Sequence, residues 1–225
     1  MLKAITFDVD MTLVDFWGFK KFASDAAAKA MVKSGLNMSV SKCKKLLFDH
    51  YITDIEGDMV LGGFLKKINQ YDERILAAGI NAYLKAKYAH LEAYTGAKRV
   101  LNNLKKKGLK LGVISDAPKL KMLMRLDAIG LAGLFDVILG FEDTKVHKPS
   151  FLPFIKALKK LKVKPAEAMH VGDWPERDIK GAKKIGMKSC LANYGYKKVN
   201  PGKYVEPDFV IEKLSDLIKV VDRLR

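Results

Sequence analysis

Cysteine and glutamine are scarce in this chain of 225 residues, and several kinds of segment are missing from it. Its two cysteines, Cys43 and Cys190, lie far apart without metal-ligand spacing, so we expect two buried thiols rather than a disulfide. No apolar run is long enough to span a bilayer, and the first residues lack the features of a signal peptide. We therefore expect a cytoplasmic protein that has no contact with a membrane. The single glutamine, Gln70, and the abundance of lysine fit a thermophile.

The charge is strongly unbalanced, with 41 lysines and arginines against 25 acidic residues and a net charge of +16. The lysines are spread along predicted helical faces and are not interleaved with aromatic residues, as a nucleic-acid surface would require. We therefore do not expect nucleic acid as a partner, although a positive field would draw anionic substrates towards a cleft. The hydrophobic fraction of 49% is ample for a sizeable core.

Hydrophobic periodicity predicts an α/β domain that is interrupted early by helices. Residues 2–7 form a short apolar run, typical of a buried strand, which ends at Asp8. From Phe16 to Leu91 apolar residues recur at spacings of three and four, which indicates helices. The breaks between these helices are predicted at Gly57, Gly62 and Gly63.

After Gly96 the predicted elements alternate between helix and strand. The predicted strands are residues 109–114, 137–139, 168–171, 188–191 and 209–211. The predicted helices are residues 97–107, 119–129, 151–161 and 178–185, with a last one from about Ser215. This alternation predicts a Rossmann-like, mostly parallel sheet flanked by helices. We expect a core domain of residues 1–15 and 92–225 with an all-helical domain, residues 16–91, inserted into it.

Polar residues follow four of the predicted strands, at the sheet edge where ligands of such folds bind. They are Asp8 and Asp10 after the first strand, Ser115 and Asp116 after the second, Lys148 after the third, and Asp173 and Asp178 after the fourth. Each could serve only as a turn residue or a helix cap. All of them together, in this order, favour a shared site.

The residue types suit phosphate chemistry. Carboxylates that converge bind a hard cation such as Mg²⁺ through oxygen. An aspartate such as Asp8 can then attack phosphorus and form an aspartyl phosphate, while Asp10 protonates the leaving oxygen and later activates water. Ser115 would hold phosphate oxygens, and Lys148 would offset their charge.

The four motifs resemble those of the haloacid dehalogenase (HAD) superfamily of hydrolases. Residues 8–12, Asp-Val-Asp-Met-Thr, resemble the first motif, which is usually Asp-x-Asp-Gly-Thr. Residues 113–116 resemble the second motif, Lys148-Pro149 the third, and residues 171–178 the fourth. The resemblance covers the chain from Asp8 to Cys190 and implies a magnesium-dependent phosphohydrolase acting on a small phosphorylated metabolite, as a monomer or homodimer. The insertion resembles the helical C1-type cap of the superfamily.

The resemblance also implies a role for each motif residue. Asp8 is the expected nucleophile and Asp10 the expected general acid and base. The expected magnesium ligands are Asp8, Asp173 and the backbone carbonyl of Asp10; the expected phosphate-binding residues are Ser115, Asp116 and Lys148; Asp178 and Thr12 are expected to support the site. Met11 stands where the superfamily usually has glycine, so we expect the turn after Asp10 to differ.

Three other functions stay open at this point. The 2-haloacid dehalogenases share the first aspartate but typically lack the second, so Asp10 favours phosphate chemistry. A phosphomutase differs only in the acceptor of the phosphoryl group, which the motifs barely discriminate. A non-catalytic binding protein is supported only by Met11 and the positive charge.

Overall fold

Two compact units make up the chain. The computed structural model describes residues 1–53, 60–199 and 203–224. One unit contains Met1–Asp15 and Glu92–Arg225, and the other is Phe16–Leu91. The first unit is an α/β fold with a parallel sheet, and the helices of the second are inserted between its first two strands. The predicted fold class is thereby confirmed.

The sheet of the first unit has six strands. They are β1 Ala4–Phe7, β2 Lys110–Ile114, β3 Val137–Leu139, β4 Ala168–Gly172, β5 Lys188–Ala192 and β6 Phe209–Ile211. Their order is β3-β2-β1-β4-β5-β6, and the described strands all pair in parallel. Phe7, the last residue of β1, lies opposite Val113 of β2 and Val171 of β4. The residues that follow these three strands therefore emerge at one edge of the sheet.

Helices flank this sheet. Helices α1 to α4 belong to the inserted unit. The helices of the first unit are, in chain order, α5 Ala97–Lys106, α6 Lys119–Ala128, α7 Phe141–Thr144, α8 Leu152–Leu161, α9 Lys180–Lys183, α10 Asn193–Val199 and α11 Leu217–Asp222. All residues of β1 and β4 are buried, as expected for central strands covered on both faces. Gly108 and Gly130, at φ 77° and 67°, take the left-handed conformation just beyond α5 and α6.

Helix α7 was not predicted, and two further helical segments also differ from the predictions. The segment after β4 starts earlier than predicted, because a wide π turn over Pro175–Ile179 precedes α9. Helix α10 was not predicted, since Asn193 and Gly195 are weak helix formers. Both segments lie beside the edge of the sheet where the motif residues emerge.

The second unit contains helices α1 Phe16–Lys33, α2 Val40–Thr53, α3 Val60–Lys67 and α4 Glu73–His90. Its core is built from apolar side chains of these helices, including Met31, Leu47, Phe64, Leu65 and Leu76. Gly62 and Gly63 lie inside α3, so the prediction that they break a helix was wrong. Burial of Phe64 and Leu65 on the same turn of helix outweighs the loss of about 1 kcal/mol in propensity at each glycine. Gly57 lies outside the described residues.

Both cysteines, Cys43 and Cys190, are buried and unpaired with each other, as expected. Among the described helices, none combines the length and the apolar character that crossing a membrane requires.

Candidate active site

The loop after β1 begins the site. The N–H of Asp8 donates to the carbonyl of Val171 at 2.9 Å, which ties the end of β1 to β4. Met11 has φ 62°, in the left-handed region that favours glycine. The turn therefore has a glycine-type conformation despite the methionine, and the change expected from the sequence does not occur. This conformation costs a residue with a side chain about 1–2 kcal/mol.

Helix α10 also contacts the loop after β1. The hydroxyl of Tyr194 donates to the carbonyl of Thr12 at 2.7 Å. Gly195 lies so close that an added Cβ would stand 2.0 Å from the Met11 carbonyl oxygen and 2.8 Å from the Cβ of Asp173. Contacts of the loop with this helix therefore stabilise the strained turn.

Lys148 lies at the centre of the site. Its ammonium group donates to Asp8 Oδ1 and to Asp178 Oδ1, both at 2.6 Å, and to the carbonyl of Ile114 at 3.2 Å. The side chain of Lys148 is only 3% exposed, and those of Asp8 and Asp178 are 11% and 1% exposed. Such buried charges must be paired, so the lysine and the two carboxylates act as one unit.

Burial and neighbouring charges set the protonation of this unit. Burial raises the pKa of Asp8 to about 8; Lys148 opposes this shift, whereas Asp178 and Asp10 add to it. Burial disfavours the charged form of Lys148, but Asp178, Asp8 and Asp116 raise its pKa above the ordinary value. For Asp178, burial is outweighed by Lys148 and His170, which hold its pKa well below the usual range. Asp178 is therefore the ionised partner of Lys148, and Asp8 needs further positive charge to be ionised at neutral pH.

Asp178 also forms hydrogen bonds with His170 of β4 and with the backbone just after that strand. His170 Nε2 lies 3.1 Å from Asp178 Oδ1, and its Nδ1 lies 2.8 Å from Thr6 Oγ1. Burial lowers the pKa of His170 despite its bond to Asp178, so the ring is neutral. The N–H of Trp174 donates to Asp178 Oδ2 at 2.9 Å. The orientation of Asp178 is thus fixed at both of its oxygens.

Ser115 and Asp116 follow β2 at the same edge. Ser115 is buried and its Oγ accepts from the N–H of Ala117 at 3.1 Å, so its hydroxyl proton remains available to a ligand. The Asp116 carboxylate accepts from the N–H of Lys148 at 2.8 Å and from Arg177 at 3.3 Å. The Asp116 side chain therefore orients the segment that carries Lys148.

Asp10 is held by a residue that the sequence did not indicate. Arg125 of α6 donates from Nη1 to Asp10 Oδ2 at 2.5 Å. The other oxygen, Asp10 Oδ1, is buried and has no hydrogen-bond partner among the described residues. The two oxygens of this carboxylate thus have different environments.

Asp173 is the remaining carboxylate near Asp8 and Asp178. Burial raises the pKa of Asp173 well above its ordinary value, and the nearby charges of Asp8 and Asp178 raise it further. Within the described residues, no three His, Cys, Asp or Glu side chains form a group that could hold a metal ion. The expected ligand set needs only two side chains, because Asp10 would contribute its carbonyl. Two crowded carboxylates and a carbonyl are hard oxygen donors, and these fit Mg²⁺.

The sheet edge therefore brings Asp8, Lys148, Asp178 and Asp173 into mutual electrostatic contact and places Ser115, Asp116, Asp10 and Thr12 on the loops beside them. Sequence reasoning missed the supporting contacts of Arg125, His170, Tyr194 and Gly195. Only His170 gave a usable signal, because a histidine within a predicted buried strand requires polar partners.

Comparison with known proteins defines the class. The model of the haloacid dehalogenase-like hydrolase family matches residues 5–192, so the chain belongs to that family. The expected superfamily is thereby confirmed.

The curated relatives that match nearly the whole chain include phosphatases. The glyceraldehyde 3-phosphate phosphatase of Methanocaldococcus jannaschii is 33% identical over 230 residues, which cover 100% of this chain and 99% of that protein. The phosphoglycolate phosphatase of Aquifex aeolicus is 32% identical over 228 residues, covering 98% and 97% of the two chains. A HAD phosphatase structure from Thermococcus onnurineus has a TM-score of 0.74 at 23% identity and covers 98% of each chain.

Proposed function

We propose that this protein is a magnesium-dependent phosphatase that cleaves a small phosphate monoester through an aspartyl-phosphate intermediate on Asp8. The observation that carries this proposal is the buried contact of Lys148 with Asp8 and Asp178, beside Asp173, at the carboxyl ends of the central strands. A cation and a carboxylate nucleophile in contact are the groups that transfer of an anionic phosphoryl group needs.

The first step forms the intermediate. An oxygen of Asp8 forms a bond to phosphorus while the bond from phosphorus to the leaving oxygen breaks. The leaving oxygen keeps the electron pair and takes a proton from Asp10. Lys148 and the hydroxyl of Ser115 bind the phosphoryl oxygens, whose charge grows in the transition state.

The second step releases phosphate. Asp10, now a carboxylate, accepts a proton from a water molecule that attacks phosphorus, and the bond to Asp8 breaks. When bound by Asp8, Asp173 and the carbonyl of Asp10, Mg²⁺ supplies the positive charge that keeps Asp8 ionised and neutralises phosphate oxygens. Asp178 keeps Lys148 in place throughout.

The relatives support a proposal for the substrate class. Phosphatases of glyceraldehyde 3-phosphate and phosphoglycolate match essentially the whole chain at 32–33% identity. We assign this protein a three-carbon or two-carbon phosphate ester of the same kind. The helical unit Phe16–Leu91 is assigned the role of the C1-type cap, which selects the substrate and excludes water in this superfamily.

The alternatives receive less support from the residues. A haloacid dehalogenase attacks carbon and needs neither a second aspartate nor a third carboxylate, whereas Asp10 and Asp173 are both present here. A phosphomutase would use the same first step and differ in the acceptor, so only assays with a second phosphate ester distinguish it. Fold likeness alone does not choose between these activities.

Phosphate release from p-nitrophenyl phosphate with and without MgCl₂ tests the proposal. The protein should release phosphate only with the metal, and Asp8→Asn should reduce the rate by at least about 1,000-fold, because the amide is not a nucleophile. Asp222→Asn is the matched control, since Asp222 is a surface carboxylate paired with Lys107. Unchanged turnover in Asp8→Asn would refute the assignment of the nucleophile.

A further inference from the structure

Asp10 is the group that transfers protons in the proposed function, and its environment is asymmetric. Oδ2 forms an ion pair with Arg125 Nη1, while Oδ1 is buried without a hydrogen-bond partner among the described residues. The Asp10 side chain is 23% exposed, whereas that of Arg125 is only 5% exposed. The arginine is therefore the more deeply buried member of the pair.

Arg125 is placed rigidly. It lies on α6, whose neighbouring side chains Met122 and Leu126 are fully buried. The pair joins residues that are 115 positions apart, so it depends on the packing of α6 against the loop after β1. A guanidinium is always charged and planar, which makes it suited to fixing the plane of a carboxylate.

This asymmetry decides which oxygen of Asp10 can carry the proton. A guanidinium can only donate, so the oxygen that it binds must accept, and a proton on this carboxyl group resides on the other oxygen. We propose that Arg125 is a positioning residue that holds Asp10 through Oδ2 and so presents protonated Oδ1 to the leaving oxygen of the substrate. The inference rests on the proposed function and adds to it a residue on which the acid step depends.

The step affected is the departure of the alcohol. As Asp8 bonds to phosphorus and the bond from phosphorus to the leaving oxygen breaks, that oxygen takes the Oδ1 proton of Asp10. Good leaving groups need little protonation, whereas poor ones need nearly complete transfer. Loss of Arg125 should therefore harm poor leaving groups selectively, because a freely rotating Asp10 seldom offers its proton in the required direction.

The test is a series of ring-substituted phenyl phosphates, which differ in leaving-group basicity and little in shape. The measured quantity is kcat/KM, which reports the step in which the phenol leaves. In Arg125→Met, kcat/KM should fall by about 100-fold for phenyl phosphate and by no more than about threefold for p-nitrophenyl phosphate, within the range of general acid catalysis. Asp10→Asn should give the same pattern. In the double variant with Arg125→Met, the ratio of kcat/KM for the two substrates should be the same as in Asp10→Asn alone.

Two further variants complete the design. Arg125→Lys retains the charge without the planar fork, so its loss of kcat/KM for phenyl phosphate should be smaller than that of Arg125→Met. This variant replaces the methionine variant if the latter does not fold. Arg223→Met removes an exposed arginine that directly follows α11 and should leave the series unchanged.

The outcomes are separable. An equal loss for every phenyl phosphate in the lysine or methionine variant would make Arg125 only a structural residue and would overturn the inference, while leaving the phosphatase proposal intact. A wild-type protein that hydrolyses no member of the series would overturn both.

Discussion

Magnesium should raise the melting temperature of this protein, and more at pH 8 than at pH 6. The reason is the crowding of Asp8 and Asp173, which are buried together with Asp178, with Lys148 as the buried cation in direct contact with Asp8. A divalent cation shared by Asp8 and Asp173 relieves the repulsion. The folded state binds it and the unfolded state does not, so binding stabilises the fold.

The magnitude follows from mass action. At a free Mg²⁺ concentration of 100 times Kd, the free energy of unfolding increases by about 2.7 kcal/mol. For a chain of this size each kcal/mol corresponds to about 2–4 °C, which gives an increase of about 5–11 °C at pH 8.

The sign of the pH dependence comes from Asp8. Its pKa is about 8 in the metal-free fold and has the ordinary value of 3.8 when unfolded. Between these values the folded chain holds a proton that the unfolded chain lacks, so the metal-free protein loses stability as the pH rises towards 8. The metal must displace this proton, so its affinity rises by about tenfold per pH unit over the same window. The concentration that gives 5–11 °C at pH 8 should give only about 1–2 °C at pH 6.

Thermal melts with MgCl₂, matched to NaCl at equal ionic strength, measure this effect. Calorimetric titrations in two buffers of different ionisation enthalpy should detect the released proton. Asp173→Asn should lose most of the increase, whereas the surface variant Asp222→Asn should keep it. An equal increase in Asp173→Asn, or an increase independent of pH, would refute the reasoning.

Two further substitutions test the packing of the site. Lys148→Met leaves the ionised Asp178 buried without its cation, and should lower the free energy of unfolding by about 3–5 kcal/mol in urea titrations. Gly195→Ala places a Cβ 2.0 Å from the Met11 carbonyl oxygen, so the loop must shift; kcat should fall by about 100-fold, since a displacement of about 1 Å has that effect.

Each substitution has a matched control. Lys105→Met breaks a partly exposed ion pair with Asp136 and a hydrogen bond to the carbonyl of Leu134, and should cost about 1 kcal/mol or less. Gly133→Ala adds a Cβ that meets no atom within 4 Å and should leave kcat unchanged. A loss of stability in Lys105→Met as large as in Lys148→Met, or full activity of Gly195→Ala, would contradict the respective argument.

The sequence alone determined the order of the elements and the residues of the motifs. Alternation of helix and strand predicts a parallel sheet, and a parallel sheet aligns the carboxyl ends of its strands. The polar residues that follow the strands, such as Asp8, Ser115 and Asp173, are therefore predicted at one edge of that sheet. This prediction needs only local patterns and one rule of topology.

Local patterns failed where packing outweighs propensity. Gly62 and Gly63 are poor helix formers, yet both lie within α3, because apolar neighbours on that helix are buried. Met11 adopts a conformation that favours glycine, because α10 packs closely against the loop that contains it. In both cases contacts between distant segments contribute a favourable free energy that outweighs the unfavourable local preference.

Only the tertiary structure decided the partners of the acidic residues. Asp10 and Arg125 are 115 positions apart, and Asp8 and Lys148 are 140 apart. Nothing in the sequence chooses Arg125 among the many basic residues, because a charged pair forms where packing brings two side chains together and excludes water. Burial in the folded chain also sets the pKa of Asp8 near 8, so its reactivity is a property of the fold rather than of the motif.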